Sequence, residues 1–128
     1  MIQIENDTIC VLSNYIYLIC GVYLILNNRI VEGIIAVIIW YVSHRYHCDQ
    51  DIVFWSKLDE VLASLACIYV LLKNFNKFKI KKNIIFVLLV ALIYIGGRLC
   101  YTNKKSIYNM CHSLWHIVSA IFITYIVL

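Results

Sequence analysis

The sequence predicts an all-α fold: a polytopic membrane helix bundle of five transmembrane helices, forming one domain over residues 1–128. Three observations carry this reading. Hydrophobic residues make up 63% of the chain and charged residues only 14%, against about 45–50% and about 25% in soluble domains. The apolar residues are gathered into five long runs separated by short polar turns, and no proline interrupts them. At about 1.5 Å per residue, a helical run of roughly 18–22 residues crosses a hydrocarbon core of roughly 30 Å. The net charge of +4 is not a nucleic-acid signal, because the basic residues punctuate apolar runs instead of lining one face.

The first helix is expected over about residues 9–26. Its polar, acidic lead (Glu5, Asp7) lacks the basic start and small-residue cleavage site of a secretory signal, so it reads as a retained transmembrane helix. Asn27-Asn28-Arg29 makes a short turn into a second helix over about 30–48, which closes in Ser43-His44-Arg45-Tyr46-His47. Asp49-Gln50-Asp51 is the next turn. A third helix, about 52–72, carries Lys57, Asp59 and Glu60 in its first half.

Five lysines then fall between Lys73 and Lys82. The positive-inside rule puts that loop on the cytoplasmic side. The fourth helix covers about 83–98 and closes at Gly96-Gly97; the polar loop Thr102–Ser106 leads to a fifth over about 107–128. The N-terminus, the second-to-third turn and the fourth-to-fifth loop then face the exoplasmic or lumenal side. The acidic N-terminus agrees with that orientation, whereas Arg98, Lys104 and Lys105 oppose it.

Six cysteines (Cys10, Cys20, Cys48, Cys67, Cys100, Cys111) are scattered without a C-x-x-C pair, which argues against a zinc ribbon. Most are expected to pack as small apolar residues. Cys10, Cys48, Cys100 and Cys111 lie near helix ends or candidate ligands, where an oxidising face would permit one disulfide of unassigned pairing.

The residues out of keeping with a membrane bundle are few. His112 and His116 are four apart, as are Ser43 and His47, so each pair shares one helix face one turn apart. Asp59 sits just inside the third run. In an up-down serpentine the end of the second helix and the starts of the third and fifth lie on one side. Measured from the helix ends, His47 and His112 fall about 5–8 Å deep, and Ser43, Asp59 and His116 about 7–14 Å. Five unusual residues thus occupy one layer.

Zinc favours four-coordinate sites, and a catalytic one keeps three protein ligands with water in the open position. His47, His112 and His116 would be the ligands. Asp59 would orient the water or accept its proton, and Ser43 would donate to the water or to a developing oxyanion. A bland alternative is that each imidazole is only a hydrogen-bonded core residue or glue between helices. Ionisable groups within spans are functional by default, and all five in one layer favour the metal. His44, about 100° around from Ser43, is expected at the interface or behind the ligands. Trp115 and Tyr46 are expected to pack, Asp49 is a weaker rival to Asp59, and Glu60 is expected to meet Lys57 or water.

The pattern Ser43-x-x-x-His47, Asp59, His112-x-x-x-His116 resembles that of the CREST membrane hydrolase superfamily. That group contains the alkaline ceramidases, the adiponectin and progestin receptor family, and a phospholipase-like branch acting on GPI-anchored proteins. His112-Ser113-Leu114-Trp115-His116-Ile117 is similar to the last-helix motif of the ceramidases and the phospholipase branch. Tyr46-His47-Cys48-Asp49 is similar to the latter, one residue short between the His and the Cys. The resemblance implies Zn2+ on His47, His112 and His116, with Ser43 and Asp59 assisting a water that cuts a lipid amide or ester. It also implies an endomembrane location, ER or Golgi. Family members have seven transmembrane helices. Here one helix, not three, separates Asp59 from the final pair, which keeps the parity of the site but removes walls of the lipid pocket. Glu5-Asn6-Asp7 is too short a match to the ceramidases' acidic calcium motif for calcium to be expected.

The function expected from these observations is zinc-dependent hydrolysis of the amide of a ceramide-like membrane lipid. Alternatives are a lipid ester hydrolase, a receptor-like protein using zinc structurally, and a proton or metal conductor built on the histidines. A membrane lipid is the expected partner. A homo-oligomer is a further expectation, since a second copy could supply missing pocket walls.

Overall fold

Five α-helices follow one another in the computed structural model, which describes residues 3–48, 52–76, 80–100 and 105–128. They are α1 (Gln3–Leu26), α2 (Ile30–Cys48), α3 (Ile52–Lys73), α4 (Ile80–Cys100) and α5 (Lys105–Val127). The apolar runs set their positions, but α1 begins several residues earlier than its run, because nothing in the polar lead breaks a helix. Residues 49–51, residues 77–79 of the lysine-rich loop and residues 101–104 of the last loop lie outside the described residues. So do the side chains of Glu5, Asp7, Lys81, Lys82 and Lys105.

The α1–α2 turn shows how local chemistry fixes an element. Asn28 adopts a left-handed conformation (φ 61°), which asparagine tolerates better than most residues. The Arg29 amide donates to the Leu24 carbonyl at 2.9 Å and the Asn28 amide to that of Ile25 at 3.0 Å. This is the Schellman closure, which satisfies two otherwise orphaned carbonyls.

α1 lies between α2 and α5, with α3 flanking α2 and α4 flanking α5; α3 also meets α5, more sparsely. The α1–α2 approach depends on Gly21 and Gly33. A Cβ on Gly33 would come within 2.7 Å of the Gly21 carbonyl oxygen, and one on Gly21 within 2.9 Å of that of Gly33. Small residues of this kind let membrane helices pack backbone to backbone.

The middle of the bundle is filled by Tyr17, Ile39, Ala66 and Ala120, and the end away from the histidines by Leu24, Val70, Phe122, Ile126 and Val127. Phe86 stacks on Phe122 at 5.4 Å and brings α4 onto α5. At that same end Glu32 is buried, and its carboxylate meets Lys73 Nζ at 2.9 Å and Arg29 Nη2 at 3.5 Å. Arg29 also donates to Asn74 Oδ1 at 3.3 Å. The start of α2 is thereby tied to the end of α3. All six cysteines are free.

Among the described residues three helices are long and apolar enough to cross a membrane, over Thr8–Leu26, Asn83–Cys100 and Ser106–Val127. α2 and α3 are of comparable length but less apolar, with Glu32, His44, Arg45 and His47 in α2 and Lys57, Asp59 and Glu60 in α3. Large side chains such as Leu26, Ile85, Leu92 and Leu99 stand exposed on the outer surface. Apolar exposure of this extent together with the three long apolar helices suggests a membrane protein.

Candidate metal centre

The end of α2 and the start of α5 bring three imidazoles together. Candidate ligand atoms of His47, His112 and His116 all lie within 4.8 Å of one another. Their ring centroids are separated by 5.1 Å (His47–His112), 5.6 Å (His47–His116) and 4.4 Å (His112–His116). The i, i+4 spacing aligns the α5 pair along one face. His47 reaches the same point because α2 ends at the level where α5 begins.

Among the described residues the Nε2 atoms of all three are buried and have no hydrogen-bond partner. Such a group normally finds a partner in a native fold, and three converging on one point call for a shared one. Tetrahedral zinc with Zn–N bonds of about 2.0–2.1 Å sets ligand nitrogens about 3.3 Å apart. The ligand atoms here lie somewhat further apart, within 4.8 Å, so binding an ion would draw the rings together. The donor set therefore fits a divalent transition metal such as zinc, in number, in chemistry and in the orphaned state of its atoms.

The rings are held by their surroundings. His116 is fully buried, edge-on to Tyr17 at 5.7 Å. His112 stacks between Tyr108 at 5.4 Å and Trp115 at 6.0 Å, and Tyr46 lies 4.6 Å from His47. His116 also has a partner on α1: its Nδ1 lies 3.1 Å from Ser13 Oγ. The sequence pattern gave no hint of Ser13, because spacing along a chain does not reveal which helix packs against α5.

Ser43 and Asp59, the two residues expected to assist, are both buried. Ser43 is 1% exposed, one turn before His47, and its Oγ is buried without a partner among the described residues. Asp59 lines a cavity of about 160 Å³ together with His112, Tyr46, Tyr108, Trp115 and Cys111. The remaining wall comes from Tyr94, Gly97 and Arg98 of α4 and Ser56, Glu60 and Ala63 of α3. Arg98 pairs with Glu60 across this cavity, and Tyr94 donates to the same carboxylate at 3.3 Å. Tyr46 and Trp115 thus wall the cavity as well as packing on the ligand rings.

His44 stands apart. It packs 5.8 Å from Trp40 and 5.9 Å from Tyr15 of α1, about 60° around α2 from His47, and faces Cys48 Sγ at 3.7 Å. Asp49, the rival to Asp59, lies outside the described residues. No protein-family model matches this chain, and neither a curated protein nor a solved structure matches it at a significant level.

Proposed function

We propose that this protein is a zinc-dependent intramembrane hydrolase acting on the amide of a ceramide-like lipid, a reduced, five-span member of the CREST type. One observation carries the reading. Three imidazoles cluster with their Nε2 atoms buried and without partners among the described residues, and one of them, His112, lines a cavity together with the buried carboxylate of Asp59. A core histidine kept for packing has no reason to leave Nε2 orphaned three times over. A metal held there would supply Lewis acidity and bring the pKa of a water toward about 7.

The chain's own residues would do the rest. His47, His112 and His116 would hold the ion. Asp59 would take a proton from the attacking water and return it to the departing amine nitrogen as the C–N bond breaks, so that fatty acid and amine leave. Ser43 would donate its unused hydroxyl hydrogen to the oxygen on which charge develops. The 160 Å³ cavity is suited to the polar head of a lipid and not its chains. These would stay in the bilayer, in the gap between α3 and α4 that Arg98 and Glu60 bridge. In this reading α2 and α3 also span the membrane, with the site toward the lumenal or exoplasmic side of an endomembrane and a second copy completing the pocket.

The packing favours a site open to one side over a conductor. Beneath the histidines Tyr17, Ile39, Ala66 and Ala120 pack together and line only a small, largely apolar cavity of about 30 Å³, a poor path for a proton or an ion. The test is zinc content of the purified protein, wild type against His47→Ala and His116→Ala, with fatty-acid release measured on ceramide and on a matched ester. Loss of zinc and of release together is the expected result. A metal-free wild type, or a metal-loaded one with no release from either lipid, would overturn the proposal.

A further inference from the structure

We propose that Ser13 is a positioning residue of the metal centre, holding His116 in the one tautomer that can bind the ion. The inference rests on the zinc reading above and adds α1 to the site. Ser13 Oγ has two contacts: the Cys10 carbonyl oxygen at 3.0 Å and His116 Nδ1 at 3.1 Å. A carbonyl can only accept, so the single hydroxyl hydrogen points to Cys10. The oxygen is then left to accept from His116, and Nδ1 must carry the proton. In a neutral imidazole the other nitrogen then offers its lone pair, and that nitrogen, Nε2, is buried without a partner among the described residues, on a ring 5.6 Å from that of His47 and 4.4 Å from that of His112.

The anchor behind this contact is itself fixed. Cys10 is 1% exposed, and its Sγ lies 3.5 Å from the Asn109 carbonyl and 3.6 Å from Ser113 Oγ. The turn of α1 that presents Ser13 is therefore clamped to the same stretch of α5 that carries His112 and His116. A second hydrogen bond, Tyr17 OH to Ser119 Oγ at 2.7 Å, clamps the next turn. Partners of this kind behind a ligating histidine set ring orientation and tautomer, and losing one typically costs about 10–100-fold in metal affinity.

The competing account is that Ser13–His116 is an ordinary interhelical hydrogen bond that stabilises the bundle and nothing more. Two substitutions of equal shape separate the accounts. Ser13→Thr keeps the hydroxyl; Ser13→Val replaces it with a methyl group. Zinc affinity of the full chain in detergent is measured by competition with a chromophoric chelator, alongside thermal unfolding of the metal-free protein. The expected result is wild-type affinity for Ser13→Thr and affinity about 10–100-fold weaker for Ser13→Val. Equal affinities in the two variants would overturn the inference, whether or not metal-free stability changes, and would leave the metal centre standing. A wild-type protein that takes up no zinc would overturn both.

Discussion

Arg98 on α4 reaches across the cavity mouth to the carboxylate of Glu60 on α3, and Tyr94, one turn before Arg98, donates to the same oxygen. α3 and α4 share no extensive backbone packing among the described residues, so these side chains close the gap between them. Both partners are about half exposed, and pairs of that kind contribute only about 0–1 kcal/mol. Their weight should therefore fall on access and not on folding. Glu60→Gln is expected to leave zinc content and thermal unfolding within error of wild type while changing the KM for lipid severalfold. The charge-swapped double variant Glu60→Arg/Arg98→Glu should bring it back. Wild-type kinetics in both would remove the pair from any role in access.

Metal binding should fail on acidification. The ligands must be neutral to bind, so protons compete with the metal for each ring. Affinity is expected to fall as pH falls through the range where the rings take up protons, by up to about tenfold per pH unit for each of three ligands. Zinc retained through dialysis at pH 7.5, lost on stepwise acidification and recovered on return, is the expected behaviour. Retention that stays flat until the fold itself is lost would mean that histidines are not the ligands.

The Gly21–Gly33 crossing predicts a stability effect far from the histidines. A methyl group on Gly33 would meet the Gly21 carbonyl oxygen at 2.7 Å and the Ile25 amide nitrogen at 3.1 Å, and neither backbone atom can swing aside. Gly33→Ala should destabilise the bundle by about 1–3 kcal/mol, the usual range for overpacking, read as a lowered midpoint of denaturant unfolding in detergent. Gly96→Ala is the control, since a Cβ there meets nothing within 4 Å. Equal effects at the two glycines would contradict the close crossing.

The helices and the triad were legible in the chain for one reason: both depend on local periodicity. Five apolar runs give five helices, and i, i+4 spacing aligns His112 with His116 and Ser43 with His47. Up-down parity then brings the two pairs to one level. What spacing cannot express is which helices are neighbours. That α1 packs against α5 follows from side-chain fit, so Ser13 was invisible as a partner of His116. Glu60 finds Arg98 on α4 and not Lys57 on its own helix for the same reason. The turn of about 100° from Ser43 puts His44 at the interface or behind the ligands, but spacing could not name Tyr15 of α1 as its neighbour. Glu32 passed unremarked as a polar residue at a helix start, because its burial depends on Lys73 and Arg29 meeting over it.

Substitutions at Asp59 and Ser43 test whether the centre turns over substrate or only holds the fold together. Neither is among the three clustered imidazoles, so removing either should leave the ion in place. Asp59→Asn keeps the volume and removes the proton acceptor, and is expected to lower the rate of fatty-acid release by about 10²–10⁴-fold. Ser43→Ala removes a hydroxyl that has no partner among the described residues, so little folding energy is at stake. If its hydrogen serves only the developing oxyanion, the loss is about 10²–10³-fold in kcat with KM little changed. Zinc content measured on the same samples makes the comparison decisive. Variants that keep both zinc and full activity would assign the chemistry elsewhere. Variants that lose zinc would make the two residues part of the metal's support, and the centre a structural one.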